Sequence, residues 1–289
     1  MARKLDAGRV ARLSLAHVVL AVASLFSVFP VLWVFSMALD PGSSAQPTTL
    51  QILPSRIDFS SFGRVLATPT EVEGLTFAQL FVNSLLISGG TALISVLLGA
   101  SAAFAFSRFR FRGQRAGLVS FMVLQLFPSV ACLAPLYVLL SALHLRTTLA
   151  GLAIAYAAGT LPFAIWNLKG YFDTVSPEIE EAALIDGCSY WTAFWRIVLP
   201  LAAPAVAVTT LFGFMAGWTE IVLAWTFLED PRTFTLSMAL YAMVGQYGTT
   251  KPWSEFAAMA IILSLPVVVT MLFLQRYIVA GLTAGGVKG

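Results

Sequence analysis

Apolar segments long enough to cross a lipid bilayer dominate this chain and restrict what it can fold into. The first, residues 13–39, follows a basic stretch at residues 1–12 and exceeds the ~20 residues that a spanning helix needs. A secretory signal peptide has an apolar core of only ~7–15 residues, so we interpret the segment as an uncleaved first helix, kinked at Pro30. Because 58% of the residues are hydrophobic and 11% are charged, we predict an integral membrane protein.

Five further apolar segments extend this pattern to an all-α protein with six transmembrane helices. They are residues 77–106, 117–143, 149–168, 201–228 and 256–278. Pro128 and Pro135 are expected to break the third span, because proline removes a helical hydrogen bond.

The polar stretches between the spans complete the predicted organisation. Residues 40–76 are predicted to form an external loop with a short element at residues 59–66, and residues 229–255 a second external loop. We therefore predict one membrane domain, residues 77–278, with the first helix appended and a tail at residues 279–289.

Lysine and arginine residues are distributed unevenly between the two sides of this arrangement. With the N-terminus inside, twelve of them lie inside and five outside, namely Arg56, Arg64, Arg146, Arg232 and Lys251. Because cytoplasmic loops carry the excess of positive charge, both termini and the segment 177–200 are predicted to be cytoplasmic. The basic cluster at residues 108–115 is interpreted as an anchor for this topology.

The segment 177–200 concentrates charge and helix-breaking residues between two apolar spans. Ser176 is typical of a helix N-cap, and Pro177 suits the first helical position. Gly187 lies where a left-handed residue would end that helix, and Ser189 can cap a second helix. Three glutamates place negative charge near the positive end of the first helix dipole: Glu178, Glu180 and Glu181. The segment is therefore predicted to be a helix-turn-helix elbow.

Seven positions of the elbow match a known pattern. They are Glu181, Ala182, Ala183, Gly187, Ile197, Leu199 and Pro200. An E-A-A triplet, a glycine six residues after its glutamate, and I-x-L-P ten to thirteen residues after that glycine resemble the EAA loop of permease subunits of binding-protein-dependent ABC importers. In that family this loop is a coupling helix that docks in a cleft of the ATPase subunit. The resemblance implies a type I importer permease fold and an ATPase-coupling role for the seven residues. An ordinary amphipathic helix at the membrane surface is the alternative.

Further motifs extend the resemblance over about residues 77–278. These motifs resemble the carbohydrate branch of the importer permeases. They are Asn83-Ser84-Leu85, the small-residue run 99–105, Ser107-Arg108-Phe109 and Trp218-Thr219-Glu220. Many sugar permeases have asparagine where this chain has Thr219, which leaves a pore role for that residue unsupported.

The end of the chain resembles a narrower group within this family. Residues 281–289, GLTAGGVKG, are similar to the C-terminus of the second permease subunit of maltose/maltodextrin importers. In that subunit the tail reaches into the ATPase dimer, which implies ATPase contacts for Gly285, Gly286 and Lys288. A frayed polar terminus is the alternative interpretation.

The resemblance also implies partners, and the residues themselves argue against an ATPase site on this chain. The implied partners are a second permease subunit forming a heterodimer, an ATPase pair, an external solute-binding protein, a sugar substrate and the lipid bilayer of a prokaryotic inner membrane. The sequence has no G-x-x-x-x-G-K-[ST], so ATP and Mg²⁺ are expected to be handled by the partner ATPase, with no cofactor on this chain. No metal-ligand spacing is present, and the scattered basic residues do not suggest nucleic-acid binding.

Glu220 is the one carboxylate that the sequence places clearly inside a predicted span. A charge at mid-membrane costs ~2.5–3.5 kcal/mol on insertion scales, so such a residue is expected to face a cavity or a partner. We predict that Glu220 and Trp218 border the solute path, with structural pairing of Glu220 as the equal alternative. The two side chains would point about 200° apart on one helix, so one of them is expected to pack instead. We expect water or the second permease to supply the polar partner of Glu220.

Small residues at helical spacing predict close helix packing. Gly213 and Gly217 form a G-x-x-x-G pattern on the fifth span, and the second span contributes Gly89, Gly90, Gly99 and Ala100.

Two other classes of function compete with an importer permease. A secondary transporter would normally show inverted repeats and several intramembrane ionisable groups, and only Glu220 fits that description. A non-transporting membrane scaffold would leave the elbow without a role.

Overall fold

The computed structural model describes residues 7–40, 53–54, 56–70, 72, 74–244 and 252–285. Every regular element in these ranges is helical, which confirms the all-α prediction. The chain forms two compact units. One comprises Met1–Pro69 with Met243–Ile262, and the other comprises Thr70–Ala242 with Leu263–Gly289.

The described residues contain thirteen α-helices. In chain order they are α1 (Ala7–Leu39), α2 (Ser60–Ala67), α3 (Phe77–Arg108), α4 (Gln114–Leu124), α5 (Leu133–Ala142), α6 (Leu149–Phe172), α7 (Pro177–Ile185), α8 (Tyr190–Ala193), α9 (Leu199–Leu201), α10 (Ala203–Thr219), α11 (Val222–Phe227), α12 (Leu236–Val244) and α13 (Trp253–Gly285). The short element predicted at residues 59–66 corresponds to α2.

Four helices within the described ranges are long and apolar enough to cross a membrane. Their spanning parts are Arg12–Leu39, Phe77–Arg108, Leu149–Phe172 and Trp253–Ile278. A fifth span results if Tyr190–Leu201 and Ala203–Thr219, which meet at 82°, are counted together. The six-span count therefore remains a prediction, as does the kink at Pro30, which lies inside the single helix α1.

The predicted third span, residues 117–143, consists of two shorter helices, α4 and α5. Pro128 lies between them with extended backbone, followed by the 3₁₀ turn Ser129–Cys132, so the break predicted there is confirmed. The break predicted at Pro135 is wrong. Pro135 lies in the first turn of α5, where a missing N–H removes no helical hydrogen bond.

In the first unit, α2 is connected to the beginning of α13. Arg64 Nε donates to Glu255 Oε1 at 2.6 Å, and the Glu255 side chain is only 8% exposed. Asp58 N donates to Leu39 O at 3.0 Å, which connects the end of α1 to the chain leading into α2.

The second unit is built around α3, which packs against both α6 and α10. Small residues allow the approach: an ideal Cβ on Gly217 would lie 2.7 Å from Ser88 Cα, and one on Gly213 would lie 2.9 Å from Ala92 Cα. These distances confirm the packing predicted for the G-x-x-x-G pattern. Gly89 differs, because nothing lies within 4 Å of its ideal Cβ.

Hydroxyl and amide side chains between these three helices are hydrogen-bonded. Ser95 Oγ lies 2.6 Å from Thr160 Oγ1, which joins α3 to α6. Asn167 Nδ2 donates to Ala205 O at 2.9 Å and to Thr209 Oγ1 at 3.0 Å, which joins α6 to α10. Interhelical hydrogen bonds of this kind satisfy polar groups that lipid cannot.

The predicted loop 229–255 contains a buried helix that the sequence interpretation missed. In α12, Leu236, Met238 and Ala239 are all less than 4% exposed. Asn83 on α3 fixes the chain entering this helix, because its Nδ2 donates to Arg232 O at 2.8 Å and to Phe234 O at 2.9 Å.

Candidate functional site

The first arm of the elbow, α7, begins and ends as the sequence predicts. Pro177 occupies its first turn, whereas Ser176 takes the N-cap position without a side-chain capping hydrogen bond. Gly187 follows the helix with φ +89°. Cys188 N donates to Ala183 O at 3.0 Å, and Gly187 N donates to Leu184 O at 3.1 Å. This pair of hydrogen bonds is the Schellman motif, which requires a left-handed residue at the position of Gly187.

The second arm begins at α8 and ends in a sharp bend. Ser189 Oγ accepts from Thr192 N at 3.2 Å, so the predicted cap is confirmed. The chain then passes through a π-helical segment, Phe194–Val198, and meets α10 at 82°. The bend follows from Pro204, which has no N–H to donate to Pro200 O and whose ring clashes with that carbonyl in a straight helix.

The seven elbow residues assigned to coupling divide between the two arms. Glu181 and Ala182 are exposed on α7, as is Gly187 at the turn, whereas Ala183 is 7% exposed and faces the protein. On the second arm Ile197 and Leu199 are half-buried and Pro200 is exposed. Ile185 extends the exposed face of α7, with 85% of its surface accessible.

A buried ion pair attaches α7 to the end of α3. Arg108 Nε donates to Glu180 Oε1 at 2.5 Å, and their side chains are 10% and 7% exposed. Arg108 Nη2 also donates to Val175 O at 2.9 Å. From the sequence, Arg108 is predicted to be a topology anchor and Glu180 a residue that stabilises the helix dipole. The pairing of Arg108 with Glu180 is not predicted, because each residue has a sufficient local explanation in the sequence.

Further contacts attach the elbow to the ends of α3 and α6. Asp173, between α6 and α7, accepts from Ser107 Oγ at 2.7 Å and from Lys169 Nζ at 2.6 Å. Phe104 on α3 and Phe194 on the second arm lie 4.8 Å apart, centroid to centroid, within a buried apolar cluster. The elbow is therefore attached to α3 and α6 by both charged contacts and apolar packing.

The predicted fifth span is interrupted at Glu220, which corrects the interpretation of residues 201–228 as one helix. α10 ends at Thr219, and Glu220 has extended backbone. Its Oε1 accepts from Val222 N at 2.9 Å and from Leu223 N at 3.1 Å, at the beginning of α11. Its Oε2 accepts from Tyr156 Oη at 2.5 Å. The expectation that water or another subunit must supply its partner is therefore wrong, because this chain supplies it.

Trp218 packs in the core of the second unit. It is 1% exposed, and its Nε1 donates to Leu263 O at 2.8 Å. Its ring stacks on Phe214 with centroids 5.4 Å apart and meets Phe81 edge-on at 5.8 Å. Of the two residues predicted to border a solute path, Trp218 is thus the packing residue, and a role for Glu220 in that path stays a prediction.

Arg146 and Glu229 form an ion pair at the end of the second unit opposite the elbow. The hydrogen bond to Glu229 raises the pKa of Arg146 above its ordinary value. The guanidinium also lies 4.8 Å from the centroid of the Tyr137 ring.

The predicted tail contacts lie largely outside the described residues. Gly285 is the last residue of α13, which continues beyond the predicted sixth span, residues 256–278. Gly286 and Lys288 fall outside the described ranges. Within those ranges no group of His, Cys, Asp or Glu side chains is arranged to hold a metal ion.

Replacement of Glu220 by leucine is expected to destabilise the protein by about 1–3 kcal/mol, because the Tyr156 hydroxyl and two backbone amides lose their acceptor. Glu220→Gln keeps an acceptor oxygen for the amides and a side-chain partner for Tyr156, so this variant should lose less stability than Glu220→Leu. Thermal unfolding in detergent measures both, with the exposed Thr219→Ala as control. Equal stability of Glu220→Leu and the wild type would contradict a structural role.

Comparison with known proteins gives matches along most of the chain. A family model described as binding-protein-dependent transport system inner membrane component matches residues 95–284. The chain is 35% identical to the galactooligosaccharides transport system permease protein GanQ of Bacillus subtilis (strain 168), covering 97% of both proteins.

Other relatives carry the names of different sugars. The chain is 33% identical to the trehalose transport system permease protein SugB of Mycobacterium tuberculosis (strain CDC 1551 / Oshkosh), over 91% of this chain and 93% of that protein. It is 33% identical to the maltose/maltodextrin transport system permease protein MalG of Escherichia coli (strain K12), over 96% and 97%. A chain in the crystal structure of a bacterial ABC transporter involved in alginate import has the same fold, with a TM-score of 0.78, 23% identity, and coverage of 96% of this chain and 99% of that one.

Proposed function

Because the chain belongs to the family of binding-protein-dependent transport system inner membrane components, we propose that it passes a sugar, maltodextrin or a related oligosaccharide, through the membrane within an ATP-driven importer. The observation that carries the proposal is the elbow, whose E-A-A triplet, left-handed Gly187 and I-x-L-P sequence ending at Pro200 resemble the coupling-loop pattern of this family. Relatives named for maltodextrin, trehalose and galactooligosaccharides support a small oligosaccharide as the substrate class.

The exposed side of α7 is the proposed ATPase-docking surface. Glu181 and Ala182 are accessible there, and Ile185 presents an apolar side chain that is 85% exposed among the described residues. A small residue beside an exposed isoleucine leaves room for a cleft to close around the helix. ATP and Mg²⁺ are bound by the ATPase pair in this proposal, and Gly285, Gly286 and Lys288 extend the contact from the tail.

The solute path is proposed to lie between this chain and a second permease. Within the second unit, α3 approaches α10 so closely at Gly213 and Gly217 that no passage fits between these two helices. An interface of two subunits can supply a path that neither supplies alone. In this proposal an external solute-binding protein delivers the sugar to that interface. A bacterial alginate ABC transporter with a similar chain has been crystallised in complex with its alginate pentasaccharide-bound periplasmic protein.

Purification of the chain through an affinity tag tests this assembly. We expect a second permease and an ATPase to copurify, and ATP hydrolysis by the complex to rise when a maltodextrin-loaded binding protein is added. If only a binding protein loaded with trehalose or a galactooligosaccharide stimulates ATP hydrolysis, that sugar replaces maltodextrin as the proposed substrate. Recovery of this chain without an ATPase would contradict the proposal.

The membrane orientation is proposed from charge: the elbow in the cytoplasm and the loop that follows α11 outside. With 32 residues, α3 is about 48 Å long, longer than the ~30 Å hydrocarbon core, so its two ends lie on opposite sides. At one end of α3 Arg108 binds Glu180 of the elbow, and near the other end Asn83 binds the backbone of Arg232.

We expect an impermeant thiol reagent to label Arg232→Cys in intact cells and Glu178→Cys only after permeabilisation. Both positions are exposed, and the background carries Cys132→Ser and Cys188→Ser. Labelling of Glu178→Cys alone in intact cells would reverse the orientation.

A further inference from the structure

The last two turns of α3 contact both arms of the elbow. Its Arg108 pairs with Glu180 on α7 across 2.5 Å. One turn earlier, Phe104 packs against Phe194 on the second arm, with ring centroids 4.8 Å apart. The end of this single helix therefore connects to both sides of the turn at Gly187.

The two connections differ in chemistry. Aromatic rings in contact can slide over one another at little cost, whereas a charge-assisted hydrogen bond has a defined direction and length. Arg108 makes two such hydrogen bonds, one to the Glu180 carboxylate on the first arm and one to Val175 O, two residues before α7. Because both charged side chains are nearly inaccessible, neither can exchange its partner for water without a large penalty.

Glu180 is distinct from its neighbours on the same helix. Glu178 and Glu181 are exposed, whereas Glu180 is 5% exposed and points towards α3. A surface glutamate would suffice to favour the helix dipole, so the inward position of Glu180 calls for another explanation. A buried ion pair adds little net stability compared with apolar packing, but it fixes which atoms face each other.

The connection continues beyond Arg108 into the body of the second unit. α3 packs closely against α6 at Gly99, where an ideal Cβ would lie 2.8 Å from Ala164 Cβ. It packs as closely against α10 at Gly213 and Gly217. Because no room is left for even a Cβ at these three glycines, a displacement of the end of α3 carries α6 and α10 with it.

We propose that the Arg108–Glu180 pair transmits displacement of α7 to α3, so that the two residues act as positioning residues for coupling. The inference rests on the proposed function, in which an ATPase holds the opposite, exposed side of α7. When that side moves, the carboxylate of Glu180 carries the guanidinium of Arg108 with it. The apolar contacts on the second arm hold the elbow in place but do not impose this direction.

The test measures sugar transported per ATP hydrolysed in proteoliposomes containing the purified complex, loaded binding protein and radiolabelled maltodextrin. Arg108→Gln and Glu180→Gln each remove one charge of the pair. We expect both complexes to retain the ATPase and to hydrolyse ATP, while sugar transported per ATP falls about 10-fold, within the usual range of coupling between sites. Glu178→Gln and Arg110→Gln, which alter exposed neighbours of the pair, should leave the ratio unchanged.

The swapped variant Arg108→Glu/Glu180→Arg separates transmission from folding. Where a single variant fails to insert, the swap restores a pair of opposite charges, and we expect it to recover both insertion and at least part of the transport-to-ATP ratio. Recovery of insertion with a ratio still at the single-variant level would overturn the inference, as would normal ratios in inserted single variants. A wild-type complex without ATP-dependent uptake would instead contradict the proposed function itself.

Discussion

Replacement of Gly187 by valine is expected to abolish most uptake while the protein still inserts into the membrane. The backbone at this position has φ +89°, where a β-branched residue is strained by roughly 1–3 kcal/mol. To relieve that strain the chain must give up the hydrogen bonds that Gly187 N and Cys188 N make to the end of α7. The two arms of the elbow would then meet at another angle. Uptake, membrane level and ATPase copurification measure the effect.

Asparagine at the same position provides the matched variant. Nothing lies within 4 Å of an ideal Cβ on Gly187, so the valine effect comes from backbone conformation rather than from a clash. Asparagine tolerates the left-handed region better than other residues with a Cβ, and Gly187→Asn should therefore retain more uptake than Gly187→Val. Gly170→Ala, in the exposed interior of a helix with equal free space, should behave as wild type. Equal uptake by the valine and asparagine variants would contradict a conformational role.

Substitution of Gly217 by leucine is expected to remove most of the folded protein from the membrane. Even a single Cβ at this position would lie 2.7 Å from Ser88 Cα and 3.1 Å from Thr91 Oγ1. Because the nearest atom is backbone, no side-chain rotation relieves the contact, and α3 and α10 must separate. Overpacking of this kind costs typically ~1–3 kcal/mol for a small excess and more for a larger side chain. Protein level and thermal unfolding in detergent measure the loss.

Gly89 supplies the control on the opposing helix. It is exposed, with open space around its ideal Cβ, so Gly89→Leu tests the same substitution without the contact. We expect near-normal levels for Gly89→Leu and a smaller but clear loss for Gly217→Ala. An unfolding temperature of Gly217→Leu equal to that of the wild type would contradict the close packing of α3 and α10.

Local signals account for the parts of the elbow that could be predicted from sequence. Pro177, Gly187 and Ser189 act on their own backbone or on amides within a few residues, so their roles follow from residue type and spacing. The membrane-length spans follow in the same way from apolar runs. The buried α12 was missed because nine residues are too few to distinguish a helix from an apolar loop by length.

Long-range pairing accounts for what could not be predicted. Arg108 and Glu180 are separated by 72 positions, and each had a sufficient local explanation, so nothing in the sequence required them to meet. Glu220 was placed inside a continuous helix because the residues on both sides are apolar. Its carboxylate instead ends that helix and begins the next, with Tyr156 from a third helix as its partner.

We propose that ATP hydrolysis drives sugar through this chain and its partners. Maltodextrin uptake by proteoliposomes that contain the complex tests this directly, with ATP on the ATPase side and loaded binding protein on the other. We expect uptake that requires ATP and is lost when a non-hydrolysable analogue replaces it, whether or not an ion gradient is present. Uptake driven by a proton or sodium gradient without ATP would contradict the claim and identify the chain as a secondary transporter.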